Sequence, residues 1–130
     1  MAQKDSTQTL QIELVAADRV VWSGQASQVS ARTVEGDLGV LVGHAPLLSL
    51  LVPGVVEIKP LDGEVVRAAV AEGFLSVADN HVSILSEDAF LASEVDASAT
   101  RAELEAAQSD DDQDAVLRAE AKLRLIDKAS

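Results

Sequence analysis

The sequence predicts a mainly β domain, a sandwich or barrel of short antiparallel strands, followed by an antiparallel pair of C-terminal helices. Three observations predict it. From Leu10 to about Leu85 the chain runs in short apolar stretches, several alternating apolar and polar with the period of a half-buried strand. All seven glycines and all three prolines precede Phe74, at a spacing that suits tight turns between strands. From Asp96 to Ser130 there is neither Gly nor Pro, and Ala, Glu, Leu, Arg and Lys predominate, all good helix formers. The division falls near residue 90, with residues 1–90 as the β domain and 91–130 as the helical hairpin.

Taken in order, Leu10-Gln11-Ile12-Glu13-Leu14 alternates strictly and gives the first strand. Ala17-Asp18-Arg19 forms a turn before Val20-Val21-Trp22, and Gln28 to Val34 alternates again. Leu38 to Val42 and Leu47 to Val52 are more continuously apolar, as in strands covered on both faces or bulged. Val55 to Lys59 and Glu64 to Val70 flank Pro60-Leu61-Asp62-Gly63. An Asp-Gly pair between β-branched runs signals a hairpin. Phe74 to Val77 and Val82 to Leu85 flank a second hairpin turn at Ala78-Asp79-Asn80-His81.

Asp96 to Gln108 reads as the first helix, with Asp96 or Ser98 as its cap. Its stripe is Val95, Ala99, Ala102 and Ala106, a shallow surface. Ser109 to Asp114 carries four carboxylates and fits a turn ending in an N-cap, where negative charge meets the positive end of the next helix. Ala115 to Asp127 is the second helix, with Val116, Ala119, Leu123 and Ile126 at helical spacing. Isolated helices this short barely form in water. The hairpin must lean on the β domain, on a partner, or on both.

The composition excludes several functions. The net charge is −12 and the only aromatics are Trp22, Phe74 and Phe90, so neither phosphate neutralisation nor base stacking is available for nucleic acid. There is no Cys, which removes disulfides, thiol catalysis and thiolate metal sites. No apolar run is long enough for a transmembrane helix, and Met1 to Thr9 lacks the apolar core of a secretory signal. These features place the chain in the cytosol or on the cytosolic side of a larger object.

Catalytic chemistry finds no support. His81 falls in a turn and His44 in a loop, and no nucleophile elbow, phosphate-binding loop or His-Glu-x-x-His pair is present. Asp110 to Asp114 lacks the alternation and Gly of a calcium loop, so no metal site is expected. What remains is an interaction protein. Its most unusual stretch runs from Glu35 to Leu48, where three glycines and a proline bracket apolar residues. Gly39 and Gly43 serve turns and close packing. Glu35 and Asp37 at a loop tip, with His44 nearby, offer a polar edge to a partner.

Glu35-Gly36-Asp37-Leu38-Gly39-Val40-Leu41-Val42-Gly43-His44-Ala45-Pro46-Leu47-Leu48, followed by Pro53-Gly54-Val55-Val56-Glu57-Ile58, closely resembles the epsilon subunit family of F-type ATP synthases. Trp22-Ser23-Gly24 and Glu72-Gly73-Phe74-Leu75-Ser76-Val77 agree in order, and the similarity runs from about Leu10 to Ala89. The resemblance implies a flattened ten-stranded sandwich followed by a helical hairpin. It implies a non-catalytic rotor subunit that binds the gamma subunit and sits on the ring of c subunits, peripheral to the cytoplasmic side of the cell membrane. The positions that match the family's ring contact are Glu35, Gly36, Asp37 and His44. The hairpin, Asp96 to Ile126 with Val116, Leu123 and Ile126 on its second helix, matches the segment that restrains ATP hydrolysis by contacting gamma and the catalytic alpha and beta subunits.

Three departures stand out. The hairpin is short for the family, with an Asp-rich turn, and resembles that of actinobacterial members. The family's Pro before Gly-His is Val42 here. Some members bind ATP through Ile/Leu-Asp-x-x-Arg-Ala, whereas this chain places four residues between Asp96 and Arg101. Three positions apart, Asp and Arg share a helix face; five apart, they do not. Weak or absent ATP binding follows, and no cofactor is expected. A free-standing β-sandwich ligand-binding module with a helical tail is the alternative, and scarce aromatics oppose it.

Overall fold

A computed structural model describes residues 8–129 of the chain. Among them nine strands precede two helices: β1 Leu10–Ala16, β2 Arg19–Thr33, β3 Gly36–Leu41, β4 Leu47–Leu51, β5 Gly54–Pro60, β6 Val66–Val70, β7 Gly73–Ala78, β8 His81–Ser86, β9 Ala89–Leu91, α1 Ala97–Ser109 and α2 Gln113–Ala129. A single 3₁₀ turn, Ala92–Glu94, joins β9 to the helices.

The long strand β2 organises the sandwich. Its first half pairs antiparallel with β1, from Ala16↔Arg19 to Leu10↔Ala26. Its second half pairs with β3 on one side, from Gln28↔Leu41 to Thr33↔Gly36, and with β5 on the other. The register slips between Ala26 and Gln28; such an irregularity bends a strand and lets β2 serve both layers. One layer continues from β5 to β6 and β9. The other continues from β1 to parallel β8, then β7 and β4. The pair Thr33↔Leu51 brings β4 back to the end of β2.

Two strands were expected where β2 runs unbroken. Gly24 lies between the two runs, and its role is spatial: a Cβ there would lie 2.9 Å from the Trp22 ring, so Gly24 leaves room for the indole. The three-residue β9 was not anticipated, and nine strands rather than ten are present among the described residues. His81 opens β8 instead of lying in the turn, which Asp79 and Asn80 make alone at φ 51° and 63°. Those values suit a two-residue hairpin whose twist matches its strands.

The alternation read from the sequence decides the core. Leu10, Ile12 and Leu14 of β1 point inward with Val29 and Ala31 of β2. Val56 and Ile58 of β5 meet them, as do Leu75 and Val77 of β7 and Val82 and Ile84 of β8.

The helices differ from expectation in which faces they bury. In α1 the buried residues are Thr100 and Ala107, with Ala97 and Leu104 half-buried, while Ala99, Ala102 and Ala106 are exposed. Leu104 anchors the true face. Thr100 can join it because its hydroxyl donates to the Asp96 carbonyl at 2.7 Å. In α2 Val116 and Ala119 are buried as expected, and Leu123 and Ile126 are half-buried. Ala121 and Leu125 are fully buried on a second side. The helix has two buried sides because it lies between α1 and strands β5 and β6.

Candidate partner-docking surfaces

The β2–β3 turn is built by Thr33. Its hydroxyl donates to the Gly36 carbonyl at 2.8 Å and accepts from the Glu35 amide at 3.1 Å. Gly36 sits at φ 119°, which a side chain would resist. Glu35 is thereby held exposed at the tip. Asp37 is exposed as well, its carboxylate accepting from Arg32 Nε at 3.2 Å.

His44 lies beyond the other end of β3. Gly43, at φ 88°, turns the chain there, and its amide donates to the Asn80 side chain at 2.7 Å. The His44 amide donates to the Leu41 carbonyl at 3.1 Å, and its ring Nδ1 lies 2.6 Å from the Ala45 carbonyl oxygen. Glu35, Gly36 and Asp37 are therefore together, and His44 is not with them. Asp37 and Leu41 alone are separated by roughly 14 Å of extended chain.

A second surface went unread in the sequence. On β4, β7 and β8 the outward residues Leu50, Phe74 and Leu85 are direct cross-strand neighbours, 58%, 45% and 42% exposed. Leu48 extends the row along β4 at 70% exposure, and Val34 adjoins it where its amide donates to the Leu50 carbonyl. The continuous apolarity of Leu47 to Val52 suggested a strand covered on both faces or bulged. Within this chain one face is covered: Ser49 and Leu51 are buried and Leu47 packs half-buried on the core. The apolar outer face was the signal for a docking surface, and it reads the same as a buried strand until a structure shows what covers it.

The hairpin is docked on β5 and β6. Ala121 and Leu125 of α2 pack on Ala69, with Val55, Ala92 and Val95 around them. Arg118 Nε and Nη2 donate to the two carboxylate oxygens of Glu72 at 3.0 and 3.2 Å. These hydrogen bonds hold the Glu72 carboxyl below its ordinary value, and Glu72 in turn raises Arg118. Lys122 Nζ lies 3.2 Å from Glu103 of α1 and 4.4 Å from the centre of the Phe90 ring.

Asp96 caps α1, its carboxylate accepting from the Ala99 amide at 3.0 Å. Arg101 is exposed and five positions along, so it does not share the cap's face. An open cleft of about 470 Å³ beside β2 is lined by Arg32, Asp37, Glu57 and Arg124. Its charges are balanced, and Arg32 with Asp37 and Arg67 with Glu57 already pair. Among the described residues no three His, Cys, Asp or Glu side chains converge as a metal ion requires.

Residues 9–92 match the family model described as "ATP synthase, Delta/Epsilon chain, beta-sandwich domain". The chain belongs to the ATP synthase epsilon chain family. The ATP synthase epsilon chain of Streptomyces avermitilis is 53% identical over 117 residues, covering 90% of this chain and 94% of that one. That of Corynebacterium diphtheriae is 48% identical over 116 residues, covering 88% and 91%. Among solved structures, a chain of the Euglena gracilis mitochondrial ATP synthase, an assembly of OSCP, F1 and c-ring, superposes with a TM-score of 0.70 at 25% identity, covering 92% of this chain and 78% of that one. A chain of the Tetrahymena thermophila mitochondrial ATP synthase central stalk and c-ring shares the fold, at a TM-score of 0.57 over 73% of this chain and 72% of that one. The epsilon-chain match spans the sandwich and ends at Ala92, inside the turn that leads to the helices.

Proposed function

We propose that this epsilon-family chain is a non-catalytic rotor subunit of an F-type ATP synthase, gripped between the gamma subunit and the c-ring. It couples proton flow to ATP synthesis by transmitting torque. The observation that carries the reading is the exposed row Leu50, Phe74 and Leu85. An apolar surface of this kind on an otherwise acidic chain marks an interaction site, and we assign it to gamma. Glu35, Gly36, Asp37 and His44 are the ring contact; because Glu35 to Asp37 sit at the start of β3 and His44 beyond its end, that contact runs along the length of the strand. No helix among the described residues is long and apolar enough to cross a membrane, and attachment to the cytoplasmic side of the cell membrane comes through the complex.

The hairpin restrains ATP hydrolysis when it leaves the sandwich and reaches gamma and the catalytic alpha and beta subunits, using Val116, Leu123 and Ile126. ATP is a weak ligand or none, since the Asp96 carboxylate is occupied as a cap and Arg101 points elsewhere on the helix. Two experiments test the reading. Glu35→Lys with Asp37→Lys should abolish proton-coupled synthesis while the isolated chain stays folded; normal synthesis removes the ring assignment. Truncation after Ala92 should raise ATP hydrolysis by membranes; unchanged hydrolysis leaves the hairpin a structural prop.

A further inference from the structure

The face that α2 turns to the sheet is half ionic. Arg118, Ala121, Lys122 and Leu125 recur at three- and four-residue spacing, which places them on one stripe. Of the side chains buried in this contact, Ala69, Ala121 and Leu125, two are alanines. Such an interface is thin, and α1 adds little, because it packs chiefly on α2 rather than on the strands. Position must come from the polar contacts. The Arg118–Glu72 pair is the one that ties α2 to the sandwich with two parallel hydrogen bonds, a geometry that fixes direction as well as distance. Lys122 pairs with Glu103 on α1, an ion pair that travels with the hairpin, and touches the sandwich through the face of the Phe90 ring on β9. Glu72 immediately precedes β7, and Gly73 beside it leaves no slack: a Cβ there would lie 1.8 Å from the Leu85 carbonyl oxygen. Glu72 is therefore an anchor fixed to the sandwich.

We propose that the Arg118–Glu72 pair is the clasp that sets the balance between a docked and a released hairpin. Its consequence for hydrolysis rests on the function proposed above; the clasp itself is a property of the isolated chain. Asp114, four positions earlier on α2, also acts on Arg118 and travels with it on release, while Glu87 acts on it from the sandwich.

The test is amide exchange on the full-length chain, comparing wild type, Glu72→Gln, Arg118→Gln and the reversal Glu72→Arg with Arg118→Glu. Each single variant should speed exchange through residues 116–126 by about three- to thirtyfold, with β1 and β8 unchanged, and the reversal should recover at least part of the protection. Single variants that exchange like wild type overturn the clasp. Should Glu72→Gln also loosen the strands, Arg118→Gln, whose site lies on the helix, decides the matter alone. In the assembled complex a released hairpin should lower ATP hydrolysis. Faster exchange with unchanged hydrolysis upholds the clasp and overturns the inhibitory role instead.

Discussion

Leu50 of β4 stands directly opposite Phe74 of β7, and both side chains project from the sandwich. Cross-strand apolar pairs stabilise a sheet by only about 0.2–1 kcal/mol, and exposure limits even that. The pair matters more for what it can bind than for the fold.

Leu50→Thr with Phe74→Thr should therefore separate folding from docking. Threonine keeps β propensity, and surface substitutions usually stay within about 0.5 kcal/mol each. Thermal denaturation should be little changed. Affinity for gamma should fall by about a thousandfold if the pair lies at the centre of the contact, where truncation costs about 2 kcal/mol per residue. A titration of labelled gamma against both chains measures it.

The docked hairpin should weaken in acid. Glu72 titrates below its ordinary value because Arg118 holds it. A depressed carboxyl contributes stability that is complete above the unfolded value, about 4.3, and is lost as pH falls through the folded one. The pair is about one-third exposed, so solvent screens it. Glu87 and Asp114 also act on Arg118. The informative quantity is the difference in α2 protection factors between wild type and Glu72→Gln. It should be present near neutrality and vanish in strong acid.

Most of the sandwich was legible because one rule covers it: inward residues alternate, and Leu10, Ile12 and Leu14 obey it. Val20 to Trp22 and Gln28 to Val34 read as two strands because the polar stretch from Ser23 to Ser27 separates them, yet β2 runs through it from Arg19 to Thr33. The α1 stripe failed for another reason. Alanine carries so little apolar surface that Ala99, Ala102 and Ala106 do not outweigh one Leu104, and type alone does not reveal that Thr100 satisfies its own hydroxyl. The loop of Glu35 and Asp37 was legible from its glycines. The row through Phe74 was not, because a strand awaiting a partner has the composition of one already covered.

Two glycines give opposite expectations. Gly73→Ala places a Cβ against the Leu85 backbone, which cannot rotate away, so β7 and β8 must separate where Gly73 pairs with Ser86. Overpacking of this kind costs typically about 1–3 kcal/mol, occasionally more, and the melting temperature should drop by several degrees. Gly39, expected to serve a turn or close packing, does neither: it lies inside β3, an added Cβ meets nothing within 4 Å, and its φ is not positive. The melting temperature of Gly39→Ala should stay or rise slightly, since the unfolded chain loses freedom.

Leu125 and Leu123 test which side of α2 holds the hairpin. Leu125 is fully buried against Ala69 and its neighbours, whereas Leu123 is half-buried. Leu125→Ala should cost about 2–5 kcal/mol of local stability, as buried leucines do. Since the contact with the sheet is thin, that loss should release the helices without unfolding the strands. Exchange should accelerate from residue 97 through 126 while β1, β7 and β8 keep their protection. Leu123→Ala removes less buried surface and should loosen the hairpin less. Equal effects from both substitutions would mean that α2 is held mainly by α1, and that the sandwich only borders a self-sufficient pair of helices.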